Sequence, residues 1–361
     1  MRDGKLKTAS LGLGRGMEQL LNSACSTGLY EIISVADGVL SNAEELAQKY
    51  NCTAFDDYRQ FVLQNDIDVL IVAEPLYKCV EYVKAAINKK CSIIKLIPTA
   101  TNFELAAELI KLAEKNNVKY ITAAPARFAP GFERLGDYLK TIDRRELSFI
   151  NICASFGSNF FQPIESDTQS DRKLAGGGVM LHDCFELLSL VVENFSLPSQ
   201  IYALLTNQNP DKKAKQYLGE DTVTASLVFN DLIGTFLAAK QTGAAAAPPP
   251  IRIYGAQNNI IATPNRLAVY DSNDSLITEH KYPLNREKCI TEMLIDFGRA
   301  MLEPDKYKMR SSPYLDLATM AFVEAAYLST RTGMPESPLK FLKIAESAGG
   351  RLTAKENFPF I

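Results

Sequence analysis

Tryptophan is absent from the 361 residues, and histidine occurs only twice, at His182 and His280. No indole emission therefore competes with that of a bound fluorescent ligand, and imidazole chemistry rests on two side chains. The seven cysteines form no CxxC pair, and their number is odd. Scattered thiols argue against a disulfide framework, and their spacing against a zinc site; both fit a reducing cytoplasm. Excess charge is lacking too, at a net −3. That argues against nucleic acid as a partner, because phosphate binding wants clustered surplus Lys and Arg. No apolar run approaches the ~20 residues needed to cross a membrane. The opening MRDGKLKTASLGLG lacks the apolar core of a signal peptide, so a cytoplasmic protein is expected.

What is present is an ordinary globular balance, 47% hydrophobic and 22% charged. Single cores stop growing near ~250–300 residues, so two domains are expected. The first third alternates short apolar runs, at 8–13, 31–37, 68–73, 92–97 and 118–124, with helix patterns such as Met17, Leu20, Leu21 and Ala24. Ser41-x-x-Glu44 and Thr101-x-x-Glu104 read as capping boxes. Runs that are apolar throughout mark parallel strands buried on both faces, and strand–helix alternation marks a doubly wound α/β domain. This Rossmann-type domain is expected over residues 1–127. After a helix at about 130–141, strands follow one another with short turns, which predicts an α+β domain over 128–361 with an open, mainly antiparallel sheet. Helices at about 285–302 and 314–332 close it. A bare sheet face of this size usually needs a partner, so a homo-oligomer, dimer or tetramer, is expected.

The first strand runs into Gly12-Leu13-Gly14-Arg15-Gly16-Met17, and a helix follows. Small residues there let the chain turn tightly and let backbone N–H groups meet a pyrophosphate at the helix start. The fingerprint GxGxxG is imperfect, with Met17 in its last place. Asp37 ends the second strand, where a carboxylate can accept from a ribose 2′-hydroxyl and would repel a 2′-phosphate. NAD is the expected cofactor. NADP stays open as the alternative, because Arg15 lies in the loop. The competing reading is a glycine turn that binds nothing.

With those residues in place, the chain resembles the glucose–fructose oxidoreductase/inositol dehydrogenase (Gfo/Idh/MocA) family over roughly residues 7–335. The resemblance is carried by GLGRGM, DVLIVAEP, Arg127-Phe128, LAGGGVML and VEAAYLSTRTG. It implies an NAD(P)-binding Rossmann domain, a second domain with an open sheet that holds substrate and oligomer contacts, and redox chemistry on a sugar or cyclitol hydroxyl. It also implies that Glu74, Pro75, Tyr77, Leu96, Pro98 and Arg127 join Gly12, Gly14, Arg15, Gly16, Met17 and Asp37 around the cofactor; the other reading of Glu74 and Tyr77 is that they only begin the next helix. The catalytic positions depart from the family. Its Glu-Lys-Pro is Leu96-Ile97-Pro98 here, so the lysine is missing. Its Asp and, four residues on, its His are His182 and Glu186, with Cys184 for the frequent glycine between. Its Asn and His after the Pro75 position are Leu76 and Cys79.

Oxidising a carbinol carbon needs a base for the hydroxyl proton. In GGGVMLHDCFELL, His182 and Glu186 stand at i, i+4, which puts both on one face of a helix. Lys95 stands two residues before Ile97 and shares its face of the strand. His182, Glu186 and Lys95 are therefore the candidate catalytic groups. Each has a structural reading beside it: His182 as a hydrogen-bonded helix residue, Glu186 as a partly exposed one, Lys95 as a residue that snorkels or holds a carboxylate. Asp183 reads as structural and His280 as a surface residue. Gln169 and Lys173, in a polar loop, could equally reach a substrate or be solvated. Three functions follow: an oxidoreductase on a carbohydrate-like small molecule, a catalytically degenerate dinucleotide- or sugar-binding relative that serves as sensor or assembly subunit, and a lyase or hydrolase that keeps NAD.

Overall fold

A computed structural model describes residues 4–14, 16–64, 66–155, 172–207, 219–230, 232–240 and 248–347. The chain divides into two compact units. In the described residues the first holds 4–124 and 290–316, and the second holds 125–155, 172–289 and 317–347.

The first unit is a six-stranded, all-parallel sheet. Its strands are β1 (Leu6–Leu11), β2 (Tyr30–Ala36), β3 (Thr53–Phe55), β4 (Val69–Val72), β5 (Ser92–Leu96) and β6 (Tyr120–Ala123), in the order β3-β2-β1-β4-β5-β6. β4, β5 and β6 are buried at every position, as parallel strands covered on both faces require. The chain order reverses between β1 and β4, and ligands of such sheets bind beyond the carboxyl ends of the strands at that point. β3 and the helix Tyr58–Gln64 have no counterpart in the sequence reading. Three residues are too few to show a period. Both capping boxes are displaced. The second helix, Leu40–Tyr50, already includes Ser41, and the helix Phe103–Lys115 is capped by Asn102, whose side chain accepts from Leu105 N–H.

The second unit is built on an eight-stranded mixed sheet. Its strands are β7 (Leu147–Ser155), β8 (Gln200–Thr206), β9 (Thr222–Val228), β10 (Ile233–Ala239), β11 (Ile251–Gly255), β12 (Asn258–Thr263), β13 (Arg266–Asp271) and β14 (Leu276–Lys281), ordered β14-β13-β12-β11-β7-β10-β9-β8. Neighbours run antiparallel except β7 and β10, which run parallel. β8, β9 and β10 alternate buried and open residues, so one face of this half is packed. The helix Phe185–Phe195 is buried along nearly its whole length, and Ser189 and Asn194 on it are buried with the apolar residues. Ala203 N–H in β8 donates to Ser329 Oγ of the last long helix (3.1 Å). Tyr202, Leu204, Ile233 and Leu237 stand exposed on the other face. None of the described helices is long and apolar enough to cross a membrane.

The first unit keeps its edge by one buried carboxylate. Asp316 is fully buried, and its Oδ2 accepts from the Thr122 N–H of β6 at 2.7 Å. Truncation leaves that N–H without an acceptor in a dry place, which costs about 1–3 kcal/mol. Asp316→Ala is expected to lower the urea midpoint accordingly; an unchanged midpoint would contradict this role.

Candidate active-site elements

The glycine turn is built by backbone contact. β1 ends at Leu11, and Gly12 N–H donates to Ala36 O of β2 (2.8 Å). Gly12 has φ +81°, and a Cβ on it would stand 2.5 Å from the Glu74 nitrogen that follows β4. Only glycine meets both demands. Leu13 N–H donates to Asp37 Oδ2 (2.9 Å). The other oxygen of Asp37 accepts from Val39 N–H (3.0 Å) and Asn42 Nδ2 (3.3 Å). A carboxylate offers about four acceptor sites, and the described residues fill three of them. Gly16, in the left-handed region at φ 89°, starts the helix Met17–Ser26. Among the described residues no acceptor faces the N–H of Gly14 or of Gly16. The Met17 side chain is wholly buried in the core, and its N–H donates to Gly14 O (3.0 Å). Arg15 lies outside the described residues.

Next to this turn, Glu74 pairs with Lys78 (3.0 Å) and accepts from Tyr58 Oη (3.2 Å). Burial and the carboxylates of Glu74 and Asp37 raise the Tyr58 phenol well above its ordinary range. Pro75 precedes the helix Leu76–Asn88, and Tyr77 on that helix is exposed with the Lys78 ammonium over its ring. Leu96 and Pro98 are buried, while Ile97 between them is half-buried. Cys79 is buried, and burial pushes its thiol up to about 12.

Lys95 is 4% exposed in the middle of this apolar sheet. Its ammonium donates to Leu96 O (2.6 Å) rather than to a carboxylate. Burial lowers it to about 8, against smaller opposing effects of Cys79 and Glu74.

In the second unit, the expected single helix at the glycine run is two pieces. Val179–Asp183 is one π-helical turn, and the α-helix begins only at Phe185. The wider π-turn breaks the α-helical register that an i, i+4 pairing of His182 with Glu186 assumes. His182 is 8% exposed, and its Nε2 bonds Ala175 O (3.0 Å). Glu186 is buried rather than partly exposed. One oxygen accepts from Ala126 N–H (2.8 Å), and the other pairs with Arg286 (2.9 Å). Asp183 is buried and pairs with Lys240 (2.9 Å). Arg127 is buried in the turn Pro125–Phe128, and its Nε donates to Ser189 Oγ (2.7 Å). His280 Nε2 lies 3.4 Å from Arg134. Gln169 lies outside the described residues, as does the Lys173 side chain.

Sequence reasoning missed Tyr58, Arg286, Lys240, Glu220 and Tyr327. Glu220 accepts from Gly178 and Met180 N–H and from Tyr327 Oη. Its one local signal is a pair of adjoining carboxylates, Glu220-Asp221, directly ahead of a strand.

Residues 6–124 match the model of an oxidoreductase family with an NAD-binding Rossmann fold. D-glucoside 3-dehydrogenase of Escherichia coli K12 is 30% identical over 117 residues, which are 32% of this chain. The match spans a third of that enzyme's own length, 33%. Solved structures resemble nearly the whole chain. An oxidoreductase of Agrobacterium radiobacter, in complex with NAD+, L-tartaric acid and magnesium, has TM-score 0.78 at 17% identity, over 93% of this chain and 99% of that one. Levoglucosan dehydrogenase, with NADH and levoglucosan, has TM-score 0.79 at 15% identity, over 92% and 99%. At such identities the likeness is one of fold.

The buried lysine has a testable pH signature. Its folded value near 8 lies below the unfolded 10.5, so between them the unfolded chain binds more protons and stability rises with pH. Below pH 8 the cost of burying the charge is complete, on the order of 3 kcal/mol. Unfolding of wild type and Lys95→Met, compared from pH 7 to 10.5, should show the variant's advantage shrinking as pH rises. Parallel curves would contradict a buried titrating ammonium.

Proposed function

We propose that this protein is an NAD-dependent oxidoreductase acting on a hydroxyl or keto group of a sugar- or cyclitol-like substrate, a reading supported by the match of residues 6–124 to the model of an oxidoreductase family with an NAD-binding Rossmann fold. The observation that carries the reading is the turn at 12–17. Gly12 is pressed on the Glu74 backbone, Asp37 ties down Leu13, and the N–H groups of Gly14 and Gly16 meet no acceptor among the described residues. Those residues fit a dinucleotide. The two N–H groups at a helix start suit a pyrophosphate, and the spare acceptor of Asp37 suits a ribose hydroxyl. The carboxylate of Asp37 at the end of β2, which would repel a 2′-phosphate, favours NAD over NADP. The names of the E. coli glucoside dehydrogenase and of levoglucosan dehydrogenase support a carbohydrate substrate.

When bound, NAD supplies the two-electron acceptor for the carbinol carbon. The proton is the chain's own task, and we assign it to His182. A carbonyl only accepts, so the Nε2 that meets Ala175 O carries a hydrogen. In the neutral ring Nδ1 is then the basic nitrogen, fixed in direction by that bond. Glu186 is assigned to holding Ala126 and Arg286, not to proton transfer. Lys95 is assigned a place inside the sheet rather than at a substrate. A second reading, a relative that binds but does not turn over, is favoured by Ile97 standing where the family's lysine stands.

Turnover with NAD over a panel of sugars and cyclitols, or with NADH over their keto forms, tests the reading. His182→Ala is expected to lose about a hundredfold in kcat, the scale of a general acid–base group. Equal turnover in the variant would remove His182 from the chemistry. Tight NADH binding with no turnover on any substrate would favour the second reading.

A further inference from the structure

The turn that carries His182 is held from far along the chain. Glu220, just ahead of β9, is 1% exposed. Its Oε2 accepts from Gly178 N–H (2.9 Å), and its Oε1 accepts from Met180 N–H (3.1 Å) and from Tyr327 Oη (2.7 Å). Its main-chain carbonyl accepts from Val179 N–H (2.9 Å). Four donors thus converge on one residue, three of them from three consecutive residues of the turn's start, 178–180.

The glycine run exists to let this happen. A Cβ on Gly177 would overlap the Tyr327 hydroxyl, and one on Gly178 would overlap the Glu220 backbone. From that clamped start the turn continues by its own bonds. His182 N–H donates to Gly178 O (3.0 Å), and Cys184 N–H to Val179 O (3.0 Å). The far side is fixed as well, by Asp183 on Lys240, whose own N–H donates to Asp221 O (2.9 Å). His182 therefore lies in a turn pinned at one end by Glu220 and at the other by Lys240, the neighbours of β9 and β10.

We propose that Glu220, braced by Tyr327, is the positioning residue of His182: it fixes the turn that aims the imidazole at Ala175 O and so decides which ring nitrogen is the base. This rests on the reading of His182 as the acid–base group. A buried carboxylate facing only donors suits the task. An amide in its place would turn an N–H toward an N–H, and a phenylalanine at 327 would leave one carboxylate oxygen a donor short.

The paucity of histidine makes the test direct. In protein labelled with 15N-histidine only His182 and His280 give ring signals, and His182→Asn assigns them. Wild type is expected to show His182 with widely separated ring nitrogens, the Nε2 protonated. In folded Glu220→Gln the two shifts should move toward each other as the tautomers mix. In parallel, kcat should fall at least tenfold with little change in NADH affinity. Tyr327→Phe should show the same changes in smaller measure, and it decides the matter if Glu220→Gln does not fold. Ring shifts equal to wild type in a folded variant would overturn the proposal. Because the spectra need no substrate, a wild type without turnover would sink the oxidoreductase reading and still leave the Glu220 clamp to be judged.

Discussion

A backbone N–H taken out of water must find an acceptor inside the protein, and in this chain carboxylates meet that demand at each critical turn. Asp37 holds Leu13, Asp316 holds Thr122, Glu186 holds Ala126, and Glu220 holds Gly178 and Met180. Charge-assisted bonds of this kind are about twice as strong as neutral ones. They allow irregular backbone, a glycine turn in one unit and a π-turn in the other, to keep one conformation. The candidate cofactor and acid–base groups sit on such irregular backbone. Their geometry depends on acidic residues that are themselves too occupied for chemistry.

This occupation explains how the structure divides the candidate residues. Glu186 has the spacing of a catalytic partner, yet both its oxygens are engaged by other groups. Arg127 and Met17, expected at a cofactor, are buried, one bonded to Ser189 and the other in the core. Lys95 is buried and bonded to the carbonyl of its neighbour. His182 is buried, and its Nε2 bonds the Ala175 carbonyl. The fold of solved oxidoreductases persists at 14–17% identity in several of those that resemble it.

The sequence patterns reached the architecture because burial leaves periodic marks. Uniformly apolar runs became the parallel strands β4 to β6, and alternation became β8 to β10. Three-residue β3 and the polar-led NNIIAT of β12 left no such mark. At one helix Asn102 took the capping role expected of its neighbour Thr101, while the other starts from Val39 with no side-chain cap at all. The site was harder for a different reason. Glu220 reaches back 42 residues to Gly178, and Arg286 reaches back 100 to Glu186. Spacing along the chain speaks only for neighbours, so a helix-like i, i+4 pair looked coupled when its members were each engaged elsewhere.

The central claim is that the turn between β1 and the first helix holds NAD. Titration of the purified chain with NADH and with NADPH, followed by nicotinamide fluorescence in a protein without tryptophan, addresses it most directly. The account predicts saturable NADH binding, weaker NADPH binding, and loss of NADH binding in Gly12→Ala, whose new methyl group would collide with Glu74. Absence of binding by either nucleotide, or tighter binding of NADPH, would contradict it.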